Sequence, residues 1–584
     1  MYKWNLDKLY KGLDDPKFGE DTVLFESIGD ELNSLSKDLG NGEIEKDLVN
    51  FVLKIEEYQL VASKLFQFVS LSLATDSTNQ KFNNTMVVLR QKSLKTTLAF
   101  TLFEKFVAGI DKLEEVIDAN DLLSEYKFML LEIKENSKHL LSDEEEVLAA
   151  ELNQSGGSLY SKMQTVLTST LEVEYDGGIV NLSKIRNMAY DSDPVVRKKA
   201  YESELAAYKK IEKPMSFALN GIKKEVNTIS SKRKYSSPLE RTLSDSRINK
   251  DVLDALIGAI KEYLVDFRKY LRRKGELLGH KNGLPWYDMF APMGKADTKY
   301  SVEEAKEFIL KNFKTFSDDL HDMAKQAFDE DWIDFLPYPK KQGGAFCSRV
   351  YAIKESRILS NYDGTIGDIS TLAHELGHAY HNMHVFNERV MNANYPMPIA
   401  ETASILCETI VKQAVLKEAE DDSVKLGILE QELQDSNQVI VDILSRFIFE
   451  SNVFKRVETE FLDEEELNKM MIEAQKESYG DGLDQNVLNS GMWINKGHYY
   501  QTGRSFYNFP YAFGLLFAKG IYAKYKEKGS EFVGELQKLL RESGKNNLMD
   551  VAALIDIDIT DINFWRSSLE VIKKDIELFL EITK

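Results

Sequence analysis

One short run holds the residues best suited to chemistry. His374-Glu375-Leu-Gly-His378 carries the pattern H-E-x-x-H in a chain with only eight histidines. Residue frequencies alone would produce that pattern about 0.01 times in such a chain. On a helix, residues four apart share a face, so the two imidazoles can converge on one ion. Glu375, beside the first of them, is placed to act on a metal-bound water. A surface helix with unrelated histidines is the plainer alternative. It sits poorly with Ile369, Leu372 and Leu376, which argue for burial, and buried imidazoles need partners.

A zinc ion that keeps a position open for water needs a third protein ligand. Two residues compete for that place. His384 lies ten residues after His374, a spacing that works when a glycine at position 381 turns the chain back. Here position 381 is His, and no glycine follows before residue 420. On a continuing helix His384 is rotated roughly 120° from His378, at ~100° per residue, and faces elsewhere. Glu401 is therefore preferred. It and Glu408 are expected on one face of a helix that begins after Pro396 and Pro398, among Ile399, Ala403, Leu406, Ile410 and Val411. Two carboxylates in such surroundings are costly unless a cation or donors meet them. A zinc ion for Glu401 and a ligand imidazole for Glu408 satisfy both. His381 lies on the ligand face one turn beyond the metal and is expected as a hydrogen-bonded histidine, either behind a ligand or in the core.

A second segment, Asn495 to Gly514, is rich in tyrosine and holds His498, the sole histidine after 384. Amide hydrolysis through a tetrahedral intermediate needs donors where the oxyanion forms. A histidine and one or two tyrosine hydroxyls can supply them, and Gly497 and Gly503 give the loop freedom to move. Aromatic packing at a helix–loop junction is the rival reading.

The elements that must position these groups are mostly helices. No proline stands between Pro16 and Pro194, between Pro398 and Pro510, or after Pro510, and such stretches suit long helices. Leu253, Leu256, Ile257, Ile260 and Leu264 have amphipathic helical spacing. Ser301-Val-Glu-Glu304 predicts a capping box, and Asp193-Pro194 a cap followed by a first-turn proline. Strand signals are few. Residues 171–182 alternate around Asp176-Gly177 and predict a hairpin, and a second strand is expected over Gly344–Tyr351. The fold class is mainly α with a small sheet. A soft boundary divides an N-terminal helical region, 1–190, from a larger region, 191–584.

Length and composition set the outer limits. The 584 residues, 43% hydrophobic and 29% charged, exclude a collagenous or disordered chain. The net charge of −21 argues against a nucleic-acid partner, which requires a basic face. No run of about 18 apolar residues predicts a membrane span, and the N-terminus lacks the apolar core of a signal peptide. Two cysteines, Cys347 and Cys407, cannot build a disulfide framework. A cytoplasmic protein is the expectation.

With His374-Glu-Leu-Gly-His378-x-x-His381 followed by Glu401 and Glu408, the chain resembles the thimet-oligopeptidase-like zinc metallopeptidases, and most of all their oligoendopeptidase F branch. The likeness extends to Trp4-Asn-Leu-Asp-Lys-Leu-Tyr10, Leu284-Pro-Trp-Tyr-Asp-Met-Phe-Ala-Pro292, Gly343-Gly-Ala-Phe-Cys347 and Phe506-Tyr-x-x-x-Tyr511-Ala-x-Gly514. The resemblance implies a large, helical, two-lobed zincin-type metallopeptidase with a deep central channel and a small sheet near the active site. It implies one Zn2+ per chain held by His374, His378 and Glu401, with Glu375 as general base and Glu408 and His381 behind the ligands. His498, Tyr507 and Tyr511 match the transition-state donors, and Gly344, Ala345 and Phe346 open the strand that meets the substrate backbone. The implied activity is cleavage of internal bonds in short peptides. A zinc exopeptidase of related fold, using Arg504 or Arg349 to hold a terminal carboxylate, is the first alternative. A non-catalytic peptide binder is the second, and the presence of Glu375 speaks against it.

Overall fold

The computed structural model describes residues 2–294 and 299–584. Helices dominate, and the described residues hold five short strands in two sheets. The expected hairpin is present: Glu172–Tyr175 pairs antiparallel with Gly178–Asn181, and Tyr175 faces Gly178. Asp176 and Gly177 both have positive φ, 51° and 74°, as a two-residue turn between twisted strands requires. The predicted helix starts also hold. Ser301 and Glu304 close a reciprocal capping box, and Asp193 caps the helix that opens on Pro194. In helix Lys250–Leu277, Leu253, Leu256, Ile260 and Leu264 are buried and Ile257 is half-buried.

The chain folds into two compact units. One comprises Met1–Lys138, Asp297–Val415 and Lys524–Ile557; the other comprises His139–Ala296, Leu416–Ala523 and Asp558–Lys584. Residues 1–190 thus contribute to both units, as do residues 191–584.

The first unit holds the H-E-x-x-H segment. Its N-terminal helices, chiefly Pro16–Asp38 and Ile44–Thr75, bury an apolar cluster that includes Trp4, Tyr10, Phe25, Phe51 and Leu65 and extends to Val350 and Leu359. Those last two belong to a three-stranded sheet. Glu355–Leu359 is central and fully buried, flanked by parallel Ile333–Asp334 and antiparallel Phe346–Val350. The strand expected over Gly344–Tyr351 is shorter for two local reasons. Gly344 takes φ +81°, outside the extended region, and Tyr351 enters a 3₁₀ turn. Among the described residues, Phe346–Val350 is an edge strand with one flank free of ladder partners.

Helix Ile366–Val385 carries all four clustered histidines without a break. Thr365 and Asp368 close a capping box at its start, where Asp368 also favours the positive end of the helix dipole. The following helical segment differs from expectation. Instead of one helix after the prolines, Met397–Ala400 forms a single turn, and a separate helix runs Thr402–Glu418. Glu401 stands at the junction with φ −84° and ψ 0°. The two long helices meet at Gly377. A Cβ there would lie 2.5 Å from the Ala403 carbonyl oxygen and 2.5 Å from Ser404 Cα. Gly377→Ala is thus expected to force the helices apart at a cost of about 1–3 kcal/mol, read as a lower urea midpoint. An unchanged midpoint would mean that the helices do not meet there.

The second unit is built around helix Lys250–Leu277 packed along Ile562–Ile582. Its buried ion pairs include Lys223 with Glu450, Lys274 with Glu430 and Arg197 with Asp288. Helix Asp422–Asn437 passes through a π turn, Gln438–Asp442, into Ile443–Arg456.

Candidate metal centre

One turn of the motif helix separates His374 from His378 and sets their rings 4.9 Å apart at 84°. The tight crossing at Gly377 carries the start of the next helix against that face, which delivers Glu401. Its Oε2 lies 3.2 Å from His374 Nε2 and 3.5 Å from His378 Nε2. Ligand atoms of these three residues all fall within 4.8 Å of one another, the sole such grouping of three or more metal-ligating side chains among the described residues. Two imidazole nitrogens and a carboxylate oxygen form a donor set suited to zinc.

Mutual pairing sets the charge of these groups. Burial alone would push the Glu401 carboxyl up, yet the two histidines and Ser404 hold it down at about 2. Burial opposes a charge on His374 too, yet Glu401 and Glu408 raise it to about 10. His378 is lowered to about 4, mainly by burial. Glu408 accepts from His374 Nδ1 at 3.1 Å through Oε2, while its Oε1 meets Lys412 Nζ at 2.5 Å. Lys412 and His374 keep that carboxylate ionised against its burial. An anionic partner on Nδ1 fixes the ring and makes Nε2 a better donor to a metal.

Glu375 is 6% exposed. Burial first, then the neighbouring Glu401 and Glu408, push its carboxyl up to about 7, and it accepts from the backbone N–H of Cys347. Both residues face a cavity of about 520 Å³ lined also by Ala345, Phe346, His374, His378, Tyr395 and Glu401. Ala345 and Phe346 thus reach the cavity with the three candidate ligand residues, and Gly344 stands one residue before its rim. His381 is fully buried; it stacks on Tyr395 at 3.9 Å and hydrogen-bonds Ser543 rather than a ligand. His384 packs edge-on against Tyr380 and lies 3.9 Å from Asp319.

His498, Tyr507 and Tyr511 come together within the second unit. The Tyr507 and Tyr511 hydroxyls are 3.0 Å apart, and Asn508 Nδ2 is 2.6 Å from His498 Nε2. Burial, then Arg446 and the nearby lysines, lower His498 to about 3, so the ring is neutral and accepts from Asn508. The backbone N–H of Phe506, a residue at φ +51°, donates to buried Glu450.

Three contributors, Lys412, Asn508 and the Cys347 amide, lie outside the residues the sequence motifs single out. Lys412 follows Glu408 by four residues, and that Glu-to-Lys helical spacing was a readable signal. Asn508 and the Cys347 amide left no such mark, because both act through contacts made only in the folded chain. Glu408→Gln is expected to weaken metal binding about 10–100-fold in a chelator competition, and Lys412→Met to weaken it less but in the same direction. Equal affinity in all three proteins would remove the carboxylate from any role behind His374.

The family model described as Peptidase family M3 matches residues 187–570, and the one described as Oligopeptidase F matches residues 108–172. The Oligoendopeptidase F homolog of Borreliella burgdorferi is 26% identical over 560 residues, covering 91% of this chain and 92% of that protein. Oligopeptidase PepF of Bacillus subtilis is 25% identical over 459 residues, 77% of this chain and 68% of that one. In fold, a structure from Chlamydophila abortus superposes with a TM-score of 0.86 at 21% identity, covering 100% and 98% of the two chains. Oligoendopeptidase-F from Enterococcus faecium gives 0.72 at 18% identity, with 97% and 99% covered. With about two thirds of its length matched by one model, the chain belongs to peptidase family M3, as a metalloendopeptidase of the oligoendopeptidase F branch.

Proposed function

We propose that the protein hydrolyses internal bonds of short, unstructured peptides with one zinc ion held by His374, His378 and Glu401. The observation that carries this reading is the convergence of those three ligand atoms, with Glu375 on the same cavity wall. Zinc, when bound, supplies a Lewis acid that acidifies water and polarises the scissile carbonyl. Glu375 takes a proton from the attacking water and delivers it to the leaving amine. The Cys347 amide and the buried surroundings hold its carboxylate in one orientation for both transfers. The free flank of Phe346–Val350 suits an extended peptide backbone, which adds to a sheet edge through main-chain hydrogen bonds. Tyr511, with His498 or Tyr507, is assigned to the oxyanion, since a neutral imidazole and a phenol donate without a change of charge. Arg349 is a weak anchor for an exopeptidase, because its guanidinium already donates to the Ala393 carbonyl and the Asn394 side chain.

Two further parts of the reading follow from sequence. Residues 1–190 form an N-terminal oligopeptidase-F-like region and 191–584 the catalytic region, a division that lies a few residues after the second matched segment begins at 187. The unpaired Cys347 and Cys407 suit the cytoplasm. As for the membrane, no helix among the described residues is long and apolar enough to cross one.

Glu375→Gln is expected to retain zinc at one per chain while kcat falls by about 10²–10⁴. Substantial turnover by the zinc-loaded variant would falsify the role of Glu375. Tyr511→Phe is expected to lower kcat by about 10²-fold with little change in KM. Mass-spectrometric digestion of peptides blocked at both ends tests the endopeptidase reading. Internal cuts in short peptides, with folded proteins left intact, are the expected result. Absence of cutting in every blocked peptide would sink it.

A further inference from the structure

The second unit encloses a cavity of about 660 Å³ that the chemistry above leaves unused. Its size lies within the range of small-ligand sites. All its lining residues belong to that unit. Tyr190, Tyr201, Trp286 and Phe290 give it aromatic walls, and the π turn Gln438–Asp442 contributes Gln438 and Asp442. A π turn interrupts helical hydrogen bonding at some cost and is frequently found at functional sites.

The charges in this cavity are largely matched. Asp442 accepts from Arg446 and from Tyr479. Glu204 accepts from Tyr208 and lies 3.4 Å from Arg186. Glu430 is held by Lys274 and Tyr270. Asp435 acts on Tyr190 and Tyr270. Lys496 is the exception. Its ammonium makes no hydrogen bond or ion pair among the described residues, although it sits between Asn495, which bonds Tyr208, and the turn that carries His498. Burial, followed by the positive charge of Arg446, lowers it to about 7, with Arg186 adding to the repulsion and Asp442 and Glu204 opposing it. A half-buried ammonium near two guanidiniums is stabilised by an anion that reaches it, because the neighbouring carboxylates are already committed.

We propose that this cavity receives the free carboxylate end of a short peptide, with Lys496 as its counter-ion. The aromatic walls suit an apolar last side chain. The identity of the ligand as a peptide rests on the peptidase reading; the carboxylate site does not.

The test uses the zinc-loaded Glu375→Gln protein and an N-acetylated octapeptide ending in Phe, prepared as the free acid and as the C-terminal amide. Binding is measured by titration calorimetry, and the samples are checked for intact peptide. Amidation is expected to weaken binding roughly tenfold or more when Lys496 is present, as for loss of a charged hydrogen bond. In a Lys496→Met background the two peptides are expected to bind alike, and Lys496→Arg is expected to restore most of the difference. Equal binding of acid and amide with Lys496 intact overturns the proposal. So does an acid–amide difference that persists in Lys496→Met, or no binding of either peptide. The first comparison needs no variant at Lys496, so a folding defect in Lys496→Met leaves it decisive. Incubating the zinc-loaded native enzyme with the same two peptides separates the readings. No cleavage of either, with the Lys496-dependent difference intact, would overturn the peptidase reading and support the carboxylate site.

Discussion

The candidate metal centre depends on how closely two helices approach. Side-chain packing normally holds helix axes 8–10 Å apart. At Gly377 the missing Cβ lets the Ala403–Ser404 backbone rest directly against the motif helix. That contact places the junction between Met397–Ala400 and Thr402–Glu418 over the face carrying both imidazoles. Glu401, at the junction, reaches Nε2 of each histidine, while Glu408, further along the second helix, reaches Nδ1 of His374 from behind. One glycine between the paired histidines thereby decides the positions of two carboxylates more than twenty residues away.

Such a cluster gathers charge where water is scarce, and its stability rests on pairing. Three carboxylates, Glu375 on the motif helix and Glu401 and Glu408 on the segment packed against it, lie close together, and the environment separates their protonation. Glu401 and Glu408 face imidazoles and a lysine and stay ionised, whereas Glu375 faces mainly burial and like charge and is pushed up. The same logic holds for the second unit, where Lys223–Glu450 and Lys274–Glu430 are buried but matched. Against that pattern, Lys496 stands out because its neighbours of opposite sign are already engaged.

Much of the local structure was legible in the sequence. The hairpin at Asp176-Gly177, the caps at Ser301 and Asp193, and the apolar stripe from Leu253 to Leu264 each follow from a steric or hydrogen-bonding rule acting over a few residues. Such rules say less where the chain leaves regular structure. One continuous helix was expected around Glu401; the chain instead breaks there, with prolines at 396 and 398 limiting the preceding segment to a single turn. The strand near Cys347 was expected to begin at Gly344, but the left-handed backbone there postpones it to Phe346.

By itself the sequence determined the chemistry on offer. H-E-x-x-H on a helix puts two imidazoles and a carboxylate within one turn, and the helical repeat turns His384 away from them. It also singled out Glu401 and Glu408, because carboxylates on an apolar helix need partners. What it left open were the contacts between residues far apart in the chain. That Glu375 is held by the Cys347 amide, that His381 spends its hydrogen bond on Ser543, and that Lys496 faces a cavity without a partner depend on packing between distant segments. Local spacing fixes which face of an element a residue occupies; only the folded chain decides what that face meets.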